Sequence, residues 1–148
     1  MNKQDKREKR TRLGVVVLSV ALFGFSLSQD AFVFDDFDGQ KVLSSLDVLL
    51  MGAFAFLGGG LLEQLIWDAN VLFVIGLFTF YRGKPSAWKW SLAATVLSAS
   101  FFGWDEVLAA ENGRTGKITS LEYGYWLWLA GTLSLTIGAL WSKLSRRA

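Results

Sequence analysis

The polar side chains with the most suggestive spacing lie in the first half of an otherwise apolar stretch, Leu61–Tyr81. They are Glu63, Gln64, Trp67, Asp68 and Asn70. On a helix that turns about 100° per residue, Glu63, Trp67 and Asn70 share one face. Carboxylates within an apolar helix are costly to bury, so they indicate a ligand, ion or partner site. These five residues are therefore binding candidates, unless the acids simply reach water at a membrane interface.

Asp105 is a sixth candidate, close to the end of a later apolar stretch, residues 88–108. If both stretches end on the same side of a membrane, Asp105 joins Glu63 and Asp68 in an acidic vestibule. The same two acids of the first stretch support a rival hypothesis, in which the protein is a small oligomeric transporter or channel component.

Catalytic chemistry has little support in this sequence. The chain contains no His and no Cys, which removes the usual neutral-pH proton shuttle, the thiolate nucleophile and most metal sites. It also has no zinc motif and no phosphate-cradling glycine loop followed by Lys. We therefore expect a non-enzymatic protein without a cofactor.

Residues 111–122, ENGRTGKITSLE, partly match a calcium-binding loop. Glu111 and Glu122 stand at its first and last positions, but the carboxylates expected at the third and fifth positions are missing. We expect weak calcium binding at best, and no other metal site.

The elements that must position the binding candidates are predicted to be membrane helices. The predicted fold is all-α, an integral membrane helix bundle in a single domain over residues 13–141. Four apolar stretches serve as transmembrane helices, and a glycine-rich segment before the second is predicted as a short interfacial or re-entrant helix on the outer side. The spans are residues 13–28, 61–81, 88–108 and 123–141, and the outer segment is 48–57.

Two alternatives remain open. Residues 48–66 and 71–81 could each cross the membrane, although 11 residues rise only about 17 Å. The basic head and apolar run at the N-terminus could also be a cleaved signal peptide, but no small-residue cleavage site stands out after it.

Charge is distributed unevenly along the chain. Of the 15 Lys and Arg residues, 12 fall in the basic arm 1–12, in residues 82–89 and in the basic tail 142–148. The positive-inside rule then places both termini in the cytoplasm and predicts a multi-pass protein. The basic arm directly precedes an apolar span, so membrane topology explains it better than nucleic-acid binding does.

A stripe of small and hydroxyl residues indicates where the helices pack. Close helix approach needs small residues on one face, and hydroxyl groups can bond across the interface. The predicted seam consists of Ser91, Thr95, Ser98, Ala130, Ser134 and Gly138.

The segments LDVLLMGAFAFLGGGLLEQLIWDAN (46–70) and YGYWLWLAG (123–131) carry a resemblance to a family of small uncharacterised bacterial inner-membrane proteins with four spans. The resemblance implies a bacterial source and an inner-membrane location, and it implies no activity or site residue. In size and basic inner loops the chain also looks like bacteriocin immunity proteins, by analogy of architecture alone.

These observations favour a non-enzymatic membrane protein that binds a protein partner in the bilayer, as an accessory subunit or in an immunity-type role. The expected partners are membrane lipids and either another protein or further copies of the chain.

Overall fold

The computed structural model describes residues 3–109 and 113–145, which form five α-helices and one four-stranded antiparallel sheet. The helices are α1 (Lys3–Ser26), α2 (Ser45–Gly52), α3 (Leu61–Tyr81), α4 (Ala87–Ser100) and α5 (Tyr123–Ser145). The strands are β1 (Asp30–Asp36), β2 (Gly39–Ser44), β3 (Glu106–Leu108) and β4 (Thr115–Leu121). Short 3-10 turns follow α2 (Ala55–Gly58) and α4 (Phe101–Gly103).

The prediction of an all-α bundle of four membrane-spanning helices is wrong, because the fold is α+β. Among the described residues, one helix, α3, is long and apolar enough to cross a membrane, and this does not support a multi-pass protein. Helix α4 has 14 residues and rises only about 21 Å. Helix α1 does not qualify as a span because charged residues fill its first turns. Helix α5 does not qualify because its Trp, Tyr, Gly, Ser and Thr residues reduce its mean hydropathy.

Helix α3 has the bounds that its apolar pattern predicts. The predicted third span does not extend to residue 108, because α4 ends at Ser100 and β3 follows. The segment expected to be interfacial or re-entrant, 48–57, forms the end of α2 and most of the 3-10 turn after it. Strand β4 lies within residues 111–122, the segment that partly matches a calcium-binding loop.

The sheet has the order β2-β1-β4-β3. Strands β1 and β2 form a hairpin in which Asp36 pairs with Gly39 across the two loop residues, Phe37 and Asp38. Gly39 has a φ of 107°, a conformation that a residue with a Cβ rarely adopts. Strand β1 buries Phe32 and Phe34 and also pairs with β4, which brings two distant parts of the chain together.

The sheet covers one end of the helices, where a cluster of buried aromatic residues forms one of two cores. Phe101 lies at its centre, with its ring centroid 5.4 Å from that of Phe32 and 5.8 Å from that of Tyr125. The second core lies between the helices themselves, around Phe73 and Leu135. A mixed core of this kind is typical of an α+β protein rather than of a helix bundle.

The other end of the molecule is basic. Helix α1 begins at Lys3, so the predicted basic arm is continuous with the apolar part of the same helix. Arg12 of this segment lies against Gly83, in the turn between α3 and α4. Near the end of α5, the Lys143 ammonium group lies 3.5 Å from the ring centroid of Trp88. The folded chain therefore brings three basic segments to one end and the sheet to the other.

Candidate binding site

A cavity of about 1010 Å³ lies between α2 with its following turn, the first half of α3, the β1–β2 hairpin and the start of α5. We call it the sheet-side cavity. Its walls are mainly apolar, and Leu50, Met51, Phe54 and Leu57 at its outer side are 60%, 69%, 64% and 73% exposed. Apolar side chains this exposed around one concavity are typical of a surface that another molecule covers.

Trp67 attaches α2 to α3. Its indole Nε1 donates a hydrogen bond to the Leu49 carbonyl oxygen at 2.7 Å. A Cβ built on Gly52 would lie 2.6 Å from Trp67 Cδ1, so only glycine allows α2 to lie this close to the indole ring. The wall that α2 contributes to the cavity therefore depends on one aromatic side chain and one glycine.

Glu63 lines the same cavity but already has a partner. Its Oε1 accepts a hydrogen bond from the backbone N–H of Leu108 at 2.8 Å. The neighbouring Ala109 N–H donates to the Arg114 carbonyl, so the Leu108 N–H points away from β4, at the edge of the sheet. Glu63 thus joins the first turn of α3 to an edge strand.

Asn70 joins α3 to α5 at the inner part of the cavity. Its Oδ1 accepts a hydrogen bond from Trp128 Nε1 at 2.9 Å, while its Nδ2 donates to the Trp67 carbonyl oxygen at 2.9 Å. A partly buried amide that both donates and accepts is well satisfied. Glu63, Trp67 and Asn70 all line the cavity.

The other sequence candidates lie elsewhere. Gln64 and Asp68 are absent from the cavity lining. Gln64 Nε2 donates a hydrogen bond to Asp68 Oδ1 at 3.3 Å. The other amide atom of Gln64, Oε1, is buried without a hydrogen-bond partner. Asp105 is exposed and does not line the cavity either. The predicted acidic vestibule of Glu63, Asp68 and Asp105 therefore does not correspond to this cavity.

Ser45, in the first turn of α2, was not among the sequence candidates. It lines the cavity, is 9% exposed, and its Oγ is buried without a hydrogen-bond partner. The hydroxyl group lies against Gly124, at the start of α5. Nothing local in the sequence distinguishes this serine, because its burial depends on α5 packing across it.

Among the described residues that line the cavity, Lys41 is the basic one. Its Nζ lies 2.9 Å from Asp36 Oδ2 and 3.7 Å from Asp38 Oδ2. The hydrogen bond from Lys41 is the main reason that the pKa of Asp36 is lowered below 3.8, and the same bond raises the pKa of Lys41 above 10.5. The ammonium charge is therefore already matched within the hairpin.

The predicted seam residues lie where the helices meet. Thr95 Oγ1 is 2.9 Å from Thr136 Oγ1, Ser98 Oγ is 3.1 Å from Thr132 Oγ1, and Ser134 Oγ is 2.7 Å from Ser19 Oγ. The partners Ser19, Thr132 and Thr136 were not among the sequence candidates.

The remaining seam residues make different contacts. Ser91 Oγ donates to the Ala87 carbonyl oxygen of its own helix at 3.1 Å. A Cβ built on Gly138 would lie 2.5 Å from Val15 Cγ1, so α1 and α5 approach closely there. Ala130 is partly buried on α5.

For the calcium hypothesis, Glu111 lies outside the described residues. Glu122 Oε1 accepts a hydrogen bond from Ser120 Oγ. Within residues 3–109 and 113–145, no group of three or more acidic side chains is arranged to hold a metal ion.

Comparisons with protein-family models, with curated proteins and with solved structures give no match. The fold and the cavity define an α+β protein with a large, mainly apolar cavity at its sheet end.

Proposed function

We propose that this chain is a non-enzymatic binding protein whose sheet-side cavity accepts an apolar segment of a protein partner. The observation that carries the proposal is the exposed apolar rim formed by Leu50, Met51, Phe54 and Leu57. The cavity, at about 1010 Å³, can take several large side chains at once. An apolar groove of this kind suits a helix that inserts side chains spaced three or four residues apart.

A membrane setting is the second part of the proposal. Helix α3 meets the length and hydropathy requirements of a span, and only 17% of its most apolar window is buried within the chain. Exposed side chains such as Val74 and Phe78, at 61% and 55%, would then contact lipid. The resemblance to bacterial inner-membrane proteins agrees with this location.

The transporter or channel alternative is less well supported. It needs Glu63 and Asp68 to face a common path, whereas Glu63 lines the cavity and Asp68 does not. Glu63 is also held by the Leu108 N–H, which is a structural use of the carboxylate.

Site-specific photo-crosslinking in intact cells tests the proposal. A photoreactive phenylalanine analogue replaces Met51 or Phe54 at the rim, and Val74 or Phe37 as matched exposed controls. We expect the rim positions to give one discrete protein adduct that the control positions do not give. An adduct with a second copy of the chain would identify a homo-oligomer.

The charged substitutions Met51→Glu and Phe54→Glu should abolish that adduct, because they place a carboxylate on the apolar rim. Adducts that are equally abundant at the rim and control positions would overturn the proposal. So would a Met51 adduct that survives Phe54→Glu together with a Phe54 adduct that survives Met51→Glu.

A further inference from the structure

A second cavity of about 520 Å³ lies at the basic end of the molecule, between the end of α3, the start of α4 and the last turns of α5. We call it the basic-end cavity. It is lined by three lysines from three segments: Lys84 in the α3–α4 turn, Lys89 on α4 and Lys143 on α5. None of the described residues that line it is Asp or Glu. It shares no residue with the sheet-side cavity and does not depend on the function proposed there.

The lysine charges are concentrated without a matching acid. Lys143 Nζ lies 3.5 Å, and Lys89 Nζ 5.9 Å, from the ring centroid of the same residue, Trp88. Within residues 3–109 and 113–145, no ion pair involves Lys84, Lys89 or Lys143. Two ammonium groups beside one indole ring repel each other, and an anion bound near both would reduce that repulsion.

Neutral hydrogen-bond donors lie in the same cavity. The hydroxyl groups of Ser86 and Ser142 line it, and Ser86, at the start of α4, makes no side-chain capping hydrogen bond. The first turn of α4 also lies at the cavity, although the N–H groups of Ala87 and Lys89 already donate to the carbonyl oxygens of Lys84 and Ser86 at 3.2 and 3.0 Å.

The opposing helix end does not cancel the positive charge of the lysines. The last carbonyl groups of α3 are occupied, because Phe78 accepts from the Arg82 N–H at 3.1 Å and Thr79 from the Lys84 N–H at 2.9 Å. The cavity therefore presents the charges of three lysines and the hydroxyl groups of two serines, beside the last turn of α5.

We propose that the basic-end cavity binds a phosphate group that carries a small polar substituent, of the glycerol phosphate class. Three ammonium groups suit a phosphate better than a singly charged carboxylate, and lysine binds phosphate as a point charge. The volume leaves room for more than the phosphate itself, since small-ligand pockets start at about 300 Å³. The phosphate can belong to a free metabolite or to the headgroup of an anionic lipid, because the chemistry recognised is the same.

Two measurements on the purified full chain distinguish these sources. Isothermal titration calorimetry with inorganic phosphate and with sn-glycerol 3-phosphate reports a free phosphate ligand. Native mass spectrometry after addition of phosphatidic acid or phosphatidylcholine reports a lipid headgroup. Saturable heat from the soluble phosphates, or selective retention of phosphatidic acid, supports the proposal and names the source. A wild-type chain that binds neither probe overturns it.

Lysine variants locate the site. Lys89→Gln should weaken binding about tenfold, because it removes one charge-assisted contact. The matched control Lys117→Gln neutralises an exposed lysine of β4 and should leave binding unchanged. The triple variant Lys84→Gln, Lys89→Gln, Lys143→Gln should lose binding altogether, and circular dichroism establishes that it is folded.

The conservative variant Lys143→Arg keeps the charge and should retain binding, which keeps the test decisive even if the triple variant does not fold. Binding that is equal in wild type and Lys89→Gln, or equally reduced by Lys117→Gln, would overturn the assignment of the site.

Discussion

The Glu63 carboxylate accepts a hydrogen bond from the backbone N–H of Leu108 across 45 positions of sequence, at 2.8 Å. An edge strand leaves every second N–H without a partner in the sheet. Here the first turn of α3 supplies the acceptor, so the helix layer and the sheet are joined at the wall of the sheet-side cavity. The acid that the sequence marks as a ligand candidate is in fact used to connect two parts of the fold.

Glu63→Ala should lower the free energy of unfolding by about 1–3 kcal/mol, because the partly buried Leu108 N–H loses its acceptor. Glu63→Gln keeps an acceptor oxygen and should lose less. Thermal unfolding of both variants, with hydrogen exchange at the Leu108 amide, measures the effect. The control Asp105→Asn changes an exposed acid and should stay within about 0.5 kcal/mol. Unchanged exchange at Leu108 in Glu63→Ala would contradict the assignment.

The Trp128–Asn70 hydrogen bond should couple α5 to α3 energetically. In a double-mutant cycle with Trp128→Phe and Asn70→Ala, we expect a coupling free energy of about 1 kcal/mol. Each single variant leaves one polar group without its partner, so the double variant should be less destabilised than the sum of the two. Denaturant unfolding of the four proteins gives the value. Strict additivity would show that the 2.9 Å contact contributes nothing to stability.

Gly138→Ala should destabilise the α1–α5 contact, because the added Cβ would lie 2.5 Å from Val15 Cγ1. Overpacking of this kind costs about 1–3 kcal/mol and outweighs the gain in helix propensity of about 1 kcal/mol. Gly14→Ala is the matched control, since nothing lies within 4 Å of a Cβ there, and it should raise stability. Val15→Ala should rescue Gly138→Ala. Equal melting temperatures for the two glycine variants would refute the close contact.

The Lys41–Asp36 ion pair should make the β1–β2 hairpin sensitive to extremes of pH. The pKa of Asp36 is lowered, so its stabilising contribution is present above its ordinary value of 3.8 and is lost as the pH falls through the lowered value. The pKa of Lys41 is raised, so its contribution is present below 10.5 and is lost as the pH rises through the raised value. The pair therefore stays intact across the neutral range.

Lys41→Met tests this pair directly. It should return the pKa of Asp36 toward 3.8, because the hydrogen bond from Lys41 is the largest cause of the shift. Carbon-detected NMR titration of the Asp36 carboxyl group follows the change, and Lys117→Met is the control. An Asp36 titration that is identical in wild type and Lys41→Met would exclude the pair in solution.

Local patterns predicted the bounds of α3 well, but they extended the next helix to residue 108 instead of Ser100 and missed the strands. The continuous apolar run over Leu61–Tyr81 predicts a helix with the observed bounds, because both hydropathy and length favour it. The Asp38-Gly39 turn was also recognisable, since glycine supplies the positive φ. The strands beside it were missed, although the sequence DAFVFDD combines aromatic and β-branched residues next to that turn.

The candidate site was predicted only in part. Glu63, Trp67 and Asn70 lie on one helix face because their spacing matches the helical period, and the same three residues line the cavity. Their partners could not be predicted, since Leu108 and Trp128 lie 45 and 58 positions away. Ser45 was missed because its burial depends on Gly124, which packs against it from α5.

By itself, the sequence determined the position of α3, the segregation of basic residues and the small-residue face of α5, all of which follow from spacing within one segment. Only the tertiary structure decided that the chain is α+β. The sheet depends on β1 pairing with β4, whose residues are far apart in sequence, and such pairing is favourable only once both strands pack on the Phe32–Phe101 core. The sheet-side cavity exists for the same reason: α2, the hairpin and α5 meet there only after that long-range pairing has formed.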